Sequence, residues 1–254
     1  MQYIRVETEN GGVWAIEEGE QARLLDKAPY LGGKETGETL PLSAVKLLAP
    51  CEANKMVCIG KNYFDHIKEM SALFDDAVPE KPVLFIKPST CINDPDGEIP
   101  YPACSKRVDY EGELAIVIGK KMTHVPEEEA LSYVFGYTCA NDVTARDIQK
   151  SEGQWTRGKA VDLFGPIGPR IVTDLDPAAL TVKTYLNGEL RQESSTSLLI
   201  HSVPKLLAFI TEAITLLPGD VVLTGTPAGV GAMVPGDVVE VVIDEIGTLR
   251  NTVR

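Results

Sequence analysis

Histidine and cysteine are scarce in this 254-residue chain. It has three histidines, His66, His124 and His201, with no HxxxH spacing, and five cysteines, Cys51, Cys58, Cys91, Cys104 and Cys139, with no CxxC pair. An odd set of unpaired spacings suggests neither a disulfide framework nor a structural zinc site, so any bound metal is expected to be held mainly by oxygen. Basic residues are also few: 24 Lys and Arg against 37 Asp and Glu leave a net charge of −13. Nucleic-acid affinity comes largely from basic patches, and none is visible, so a phosphate-backbone binder is not expected. No apolar run approaches the roughly 20 residues that span a bilayer. The opening MQYIRVETENGGVWAIEEGE lacks the basic start and apolar stretch of a signal peptide. The expectation is a cytoplasmic protein with no membrane or nucleic-acid partner.

What remains is ordinary for a globular enzyme or binding protein: 44% hydrophobic and 24% charged residues, with enough length for one large domain and a small appendage. Short strand-like pieces at Met1 to Glu7 and Gly12 to Glu17 suggest a small N-terminal subdomain over residues 1–53. Strands dominate residues 54–254: MVCIG, VLFIK, ELAIVIG, GYTCAND, LTVKTYL, DVVLTG and DVVEVVI are β-branched and punctuated by Gly, Pro or Asn. Asn187-Gly188 between two alternating runs signals a type I′ hairpin. Helical spacing is confined to Asn62 to Met70, Pro126 to Tyr133 and Val203 to Ala213, the last with Ser202 as candidate N-cap.

In VDYEGELAIVIG, Glu111 and Glu113 stand two apart at the head of a buried-looking strand. The side-chain period of two should therefore put them on one face and Gly112 on the other. Two like charges so close raise each other's pKa unless a cation lies between them; a solvated strand end is the plain alternative. GYTCANDVTARD ends a second strand at Asp142, which could join them or serve as an Asx turn or helix cap. Three carboxylates without histidine or cysteine suit a hard cation such as Mg²⁺ or Mn²⁺, with positions left for an oxygen-rich substrate. In GKNYFDHIKE, His66 and Glu69 are i, i+3 neighbours on a helix, able to act as a base on water or simply to form a surface ion pair. Lys159 in QWTRGKAVD could meet a substrate carboxylate or an oxyanion, or be a solvated loop lysine. LTGTPAGVG lacks the GxxxxGK[ST] pattern of a phosphate loop, although Thr226 and its backbone amides could line a polar pocket.

Taken together, seven ordered segments between about Val57 and Val253 resemble the fumarylacetoacetate hydrolase family. They are IGKNYFDHIKE, PVLFIKPST, VDYEGELAIVIGK, GYTCANDVTARDIQ, QWTRGKAVDLFGPIGP, NGELRQESSTSLLI and PGDVVLTGTPAGVG. The match is nearest to short members resembling acylpyruvate hydrolases, oxaloacetate decarboxylases or tautomerases, and the isomerase of the homoprotocatechuate pathway. The resemblance implies a β-rich α+β fold, a mixed β-sandwich roll, assembled as a homodimer. It implies Glu111, Glu113 and Asp142 as ligands of Mg²⁺ or Mn²⁺, and His66, Glu69 and Lys159 as catalytic residues. It also implies Arg146, Gln149 and Thr226 as substrate contacts, and a lid that includes Ser71 to Glu80. The expected activity is metal-dependent C–C hydrolysis of a 2,4-dioxo acid of acylpyruvate or fumarylpyruvate type. The alternative is isomerisation, tautomerisation or decarboxylation of a related dicarboxylate, oxaloacetate or 2-hydroxyhepta-2,4-diene-1,7-dioate. A third reading is a non-catalytic, metal-stabilised binding module.

Overall fold

The computed structural model describes residues 1–72 and 77–254. Twelve strands form the main sheet. Its path runs Glu35–Pro41, Gln21–Leu25, Gly11–Glu18, Gln2–Thr8, Gly165–Val172, Val134–Asn141, Gly112–Ile118, Val221–Leu223, Lys55–Gly60 and Val83–Pro88. Leu47–Leu48 and Ile92–Asn93 pair alongside. The pairing is mostly antiparallel, with Val221–Leu223 parallel to Lys55–Gly60. Residues 1–50 extend this sheet, because Gln2–Thr8 pairs with Gly165–Val172.

A five-stranded sheet of Glu189–Ser195, Thr181–Leu186, Val238–Ile243, Gly247–Val253 and Glu98–Ile99 faces the middle of the large one. Burial on both faces explains why residues 114–118 of the strand Gly112–Ile118 read as an unbroken apolar run. Leu114, Ile116 and Ile118 point between the two sheets, against Val182, Val241 and Leu249. Ala115 and Val117 point the other way, into a second core with Cys58, Ile167 and Leu223. The parity rule therefore places Glu113 with Ala115, away from the five-stranded sheet. Gly112 faces that sheet, where a Cβ would lie 2.1 Å from the Oγ1 of buried Thr184. The glycine between the two glutamates is set by sheet-to-sheet contact.

Helices are short: α1 (Phe64–Glu69), α2 (Arg146–Ser151), α3 (Thr156–Lys159) and α4 (Val203–Thr211). Three sequence expectations are corrected here. The helix expected over Asn62 to Met70 is α only at Phe64–Glu69 and tightens to a 3-10 turn at Met70–Ala72. The segment Glu127–Tyr133 is 3-10 throughout, since its single buried residue, Ala130, offers no helical stripe to pack. Ser202 precedes α4 but makes no side-chain capping bond. The hairpin at Asn187-Gly188 has positive φ at both residues, 53° and 79°. All five cysteines are free thiols, Cys104 exposed and the others buried. Within the expected lid, residues 73–76 lie outside the described residues. Among the described residues, no helix is long and apolar enough to cross a membrane.

Gly112→Ala should lose about 1–3 kcal/mol of stability by overpacking against Thr184, measured by urea unfolding. A Gly112→Ala, Thr184→Ala double variant, which removes the clashing Oγ1, should recover part of that loss.

Candidate metal and active-site cleft

The elements converge at one mouth of the large sheet. Val134–Asn141 ends beside the start of Gly112–Ile118, with Gly112 opposite Asn141 and the Asp142 amide donating to Glu111 O at 2.8 Å. The Asn141 carboxamide oxygen accepts from the Glu111 amide at 2.9 Å. Val221–Leu223 and Lys55–Gly60, parallel neighbours, finish at the same mouth and deliver Thr224 to Thr226 and Gly60 to Asn62. Glu111, Glu113 and Asp142 each offer a carboxylate oxygen, all within 4.8 Å of one another, and all three residues are buried.

Cations are interleaved among these acids. Lys159, at the end of α3 and 2% exposed, donates from Nζ to Glu111 Oε2 at 2.7 Å and to Asp142 Oδ2 at 2.6 Å. Arg146, on α2, donates from Nη2 to Glu111 Oε1, from Nη1 to Gln149 Oε1 at 2.6 Å and from Nε to Asp109 Oδ2 at 2.9 Å. Burial opposes charge on Glu111, but Lys159 and Arg146 outweigh it and hold the carboxyl below the ordinary range. Burial likewise opposes charge on Lys159, yet Asp142 and Glu111 raise its pKa. Glu113 is different. Its direct partner is the Gly225 amide, 2.7 Å from Oε2, and among the described residues it has no ion pair. Burial, with Asp142 and Glu111 adding to it, pushes its pKa well up.

Lys87, which sequence reasoning missed, lies fully buried behind Asp142. Its ammonium donates to the carbonyls of Val143, Lys159 and Phe164 at 3.0, 2.5 and 2.8 Å. Its 2.8 Å approach to Asp142 Oδ1 is therefore a charge contact, and that oxygen receives no hydrogen bond. A buried oxygen without a hydrogen, beside a glutamate without a cation, is what a hard divalent ion would satisfy. The three carboxylates fit such an ion.

The opposite wall of the cleft is α1. His66 Nδ1 stands 3.5 Å from Glu69 Oε2, an approach without a formed hydrogen bond. Glu69 accepts the Gly229 amide on both oxygens, at 2.9 and 3.1 Å, which ties α1 to the Thr226–Gly231 loop. Burial works against its charge, but His66 and the Gly229 amide outweigh it and lower its pKa. Asn62 fixes the start of this wall, donating to the Thr224 and His201 carbonyls and accepting the His201 amide. Thr226 Oγ1 donates to Gly112 O at 2.9 Å and accepts from Gln192 Nε2 at 2.8 Å, so its hydroxyl is occupied within the protein.

Every site residue expected from the sequence except Glu69 lines this one cleft, which holds about 490 Å³ of unfilled space. Asp109, also missed, is fully buried and grips Arg146 from behind, with Arg107 closing on it from the surface at 2.8 and 3.1 Å. A lysine inside the apolar run VLFIK was the available signal for Lys87. Asp109 had none beyond standing two residues before Glu111.

Residues 55–254 match the family described as fumarylacetoacetate (FAA) hydrolase C-terminal, and residues 1–50 match one described as Rv2993c-like, N-terminal. Protein Rv2993c of Mycobacterium tuberculosis is 46% identical over 263 residues, covering 100% of this chain and 98% of its own. Oxaloacetate tautomerase YisK of Bacillus subtilis is 43% identical over 225 residues, 84% of this chain and 74% of its own. The crystal structure of 2-hydroxyhepta-2,4-diene-1,7-dioate isomerase from Mycobacterium marinum aligns with a TM-score of 0.91 at 45% identity, covering 100% of this chain and 98% of that one. With the family's domain matched over most of its length, and a buried acid cluster at the mouth of its sheet, the chain belongs to the fumarylacetoacetate hydrolase family.

Proposed function

We propose that this protein is a divalent-cation-dependent tautomerase or isomerase that moves a proton and a double bond in a 2-oxo acid. The observation that carries this reading is the buried triad Glu111, Glu113 and Asp142, its oxygens within 4.8 Å and interleaved with Lys159 and Arg146. Relatives named oxaloacetate tautomerase and 2-hydroxyhepta-2,4-diene-1,7-dioate isomerase favour proton transfer over the hydrolysis expected from the sequence. Held by the triad, Mg²⁺ or Mn²⁺ would supply a hard Lewis acid for the carboxylate and 2-oxo oxygens of the substrate.

The chain's own groups account for the rest. Lys159 keeps its proton and its positive charge in the cleft, favouring negative charge as it develops on an enol oxygen. His66 takes the proton from C3 at one end of the shift and returns it at the other, with the Glu69 carboxylate 3.5 Å from its Nδ1. Gln149, oriented by Arg146, presents its amide nitrogen to a substrate oxygen. Ile59, Ile67 and Phe85 line the same cleft and limit water at the reacting carbons. Tautomerisation needs only this proton shuttle, with no ordered water.

A second reading, C–C hydrolysis of an acylpyruvate, is favoured by the His66–Glu69 pair, which is also the arrangement of a general base acting on water. Metal-stripped protein should tautomerise oxaloacetate, followed by enol absorbance, only after Mg²⁺ or Mn²⁺ is restored. Release of pyruvate from acetylpyruvate at a higher kcat/KM would move the assignment to hydrolase. Ion binding with neither activity would leave a metal-stabilised binding module. Glu113→Gln should weaken Mn²⁺ binding at least about tenfold. His66→Ala should cut kcat about 100-fold or more while Mn²⁺ affinity stays unchanged; full activity in this variant would remove His66 from the mechanism.

The hold of Glu69 on α1 should also depend on pH. A carboxyl whose folded pKa is lowered contributes stability that is present above its unfolded pKa and is lost as pH falls through the folded value. The stability difference between the wild type and Glu69→Gln should therefore be constant near neutrality and shrink below about pH 4.5. Urea titrations at stepped pH would show it; a difference independent of pH would contradict the ionised form of the contact.

A further inference from the structure

Two aromatic side chains form a partition beside the acid cluster. Phe85 lies under the Lys159 ammonium, 4.9 Å from ring centroid to Nζ. It meets Trp155 edge-on, with centroids 5.6 Å apart and planes at 69°. Trp155 in turn packs on Gly60, where a Cβ would come within 2.4 Å of the indole, so the glycine makes room for the ring. On the far side of this partition runs a second groove of about 1430 Å³ of unfilled space, part of it open to solvent. The cleft and the groove share Phe85 and Trp155 as lining residues.

The groove's other walls include Leu84, Ile86, Pro88 and Ile214, and no charged side chain lines it among the described residues. Ile86 is 42% exposed on Val83–Pro88, the outermost strand of the large sheet. A carboxylate placed there would lose hydration and gain no cation, whereas an alkyl or aryl group would gain burial. The chemistry of the two spaces is therefore split, with charge concentrated around Lys159 and apolar surface beyond Phe85 and Trp155.

We infer that the groove is a substrate subsite, taking the apolar tail of a 2-oxo acid whose carboxylate and oxo groups occupy the acid cleft. The inference rests on reading that cleft as a 2-oxo acid site, and it gives this chain a preferred substrate class of 2-oxo monocarboxylates with an alkyl or aryl tail. Phe85 and Trp155, whose rings stand edge-on between the two spaces, are then specificity-determining residues, because they must turn aside to admit the tail from cleft to groove.

The test is calorimetric binding of pyruvate, 2-oxobutanoate, 2-oxohexanoate, 2-oxooctanoate and 2-oxoadipate to the Mn²⁺-loaded protein. Each buried methylene can tighten binding up to about fourfold, so Kd should fall at least about tenfold from pyruvate to 2-oxooctanoate. 2-Oxohexanoate should bind more tightly than 2-oxoadipate, which has the same length and a charged end. Ile86→Asp should collapse the ratio between the shortest and longest members. Pyruvate binding without any dependence on length, tighter binding of 2-oxoadipate, or an equal shift of all members by Ile86→Asp would each overturn the subsite. The first of these would return the groove to another occupant, such as a second copy of the chain pairing along the free sheet edge. Failure of every member to bind, pyruvate included, would instead overturn the 2-oxo acid reading, and this inference with it.

Discussion

Four carboxylates, those of Asp109, Glu111, Glu113 and Asp142, are buried together at one end of a sheet, and the rest of the site follows from what that costs. An isolated ionised carboxylate cannot be taken out of water without several kcal/mol of penalty, about what a well-made buried ion pair returns. Each acid must therefore bring its own compensation. Asp109 has Arg107 and Arg146, Glu111 has Arg146 and Lys159, and Asp142 has Lys159 and Lys87. Glu113 alone is left to a backbone amide. Four cations, Arg107, Arg146, Lys159 and Lys87, thus match the four acids in number, but among the described residues none pairs with Glu113, and a divalent ion would meet that carboxylate.

The fold supplies this compensation from sequence-distant segments. Lys87 comes from the edge of the large sheet, Arg146 and Lys159 from two short helices, and the acids from the run Asp109 to Glu113 and from Asp142, just past the end of the neighbouring strand Val134–Asn141. Lys87 is the hinge of the arrangement, because one ammonium binds the main chain after Asp142, the end of α3 and the Phe164 carbonyl together. Removing such a group would leave three buried carbonyls without its hydrogen bonds and Asp142 with Lys159 as its one remaining cation, a buried loss of about 3–5 kcal/mol. The site is thus rigid because its charges hold the segments that carry them. Rigid first contacts are what ion binding and proton transfer both need.

How much of this could be read in advance depends on the range of the signal. Glu111 and Glu113 share a face because the strand period is local, and Asp142 joins them because its strand ends where theirs begins. The identity of Gly112 was visible but its reason was not, since Thr184 lies 72 positions away and belongs to the other sheet. The partners of Lys87, Asp109 and Asn62 were illegible on the same ground, even though a lysine within VLFIK was itself visible: each acts through groups that only the fold brings close. α1 was misjudged in length and Glu127–Tyr133 in type because both segments have little apolar stripe, and packing rather than propensity decides how such short segments wind and where they stop. The resemblance supplied the acid set as a group; geometry supplied the cations that make the group affordable.

The cleft is built unequally. Its floor is made of strand ends and fully buried charges, whereas its wall is the six-residue helix α1, held at its C-terminal end through Glu69 and the Gly229 amide. A six-residue helix has little stability of its own, so its position depends on those contacts and on Asn62. Changes in floor residues would disturb ion binding and every reaction that uses it. Changes in the wall, or in the Phe85–Trp155 partition, would alter what reaches the ion while leaving the ion in place. A family that runs isomerisation, tautomerisation and hydrolysis on one architecture is physically reasonable on that division, because the charge-balanced floor can stay constant while the wall decides whether a proton, a water molecule or an apolar tail is admitted beside it.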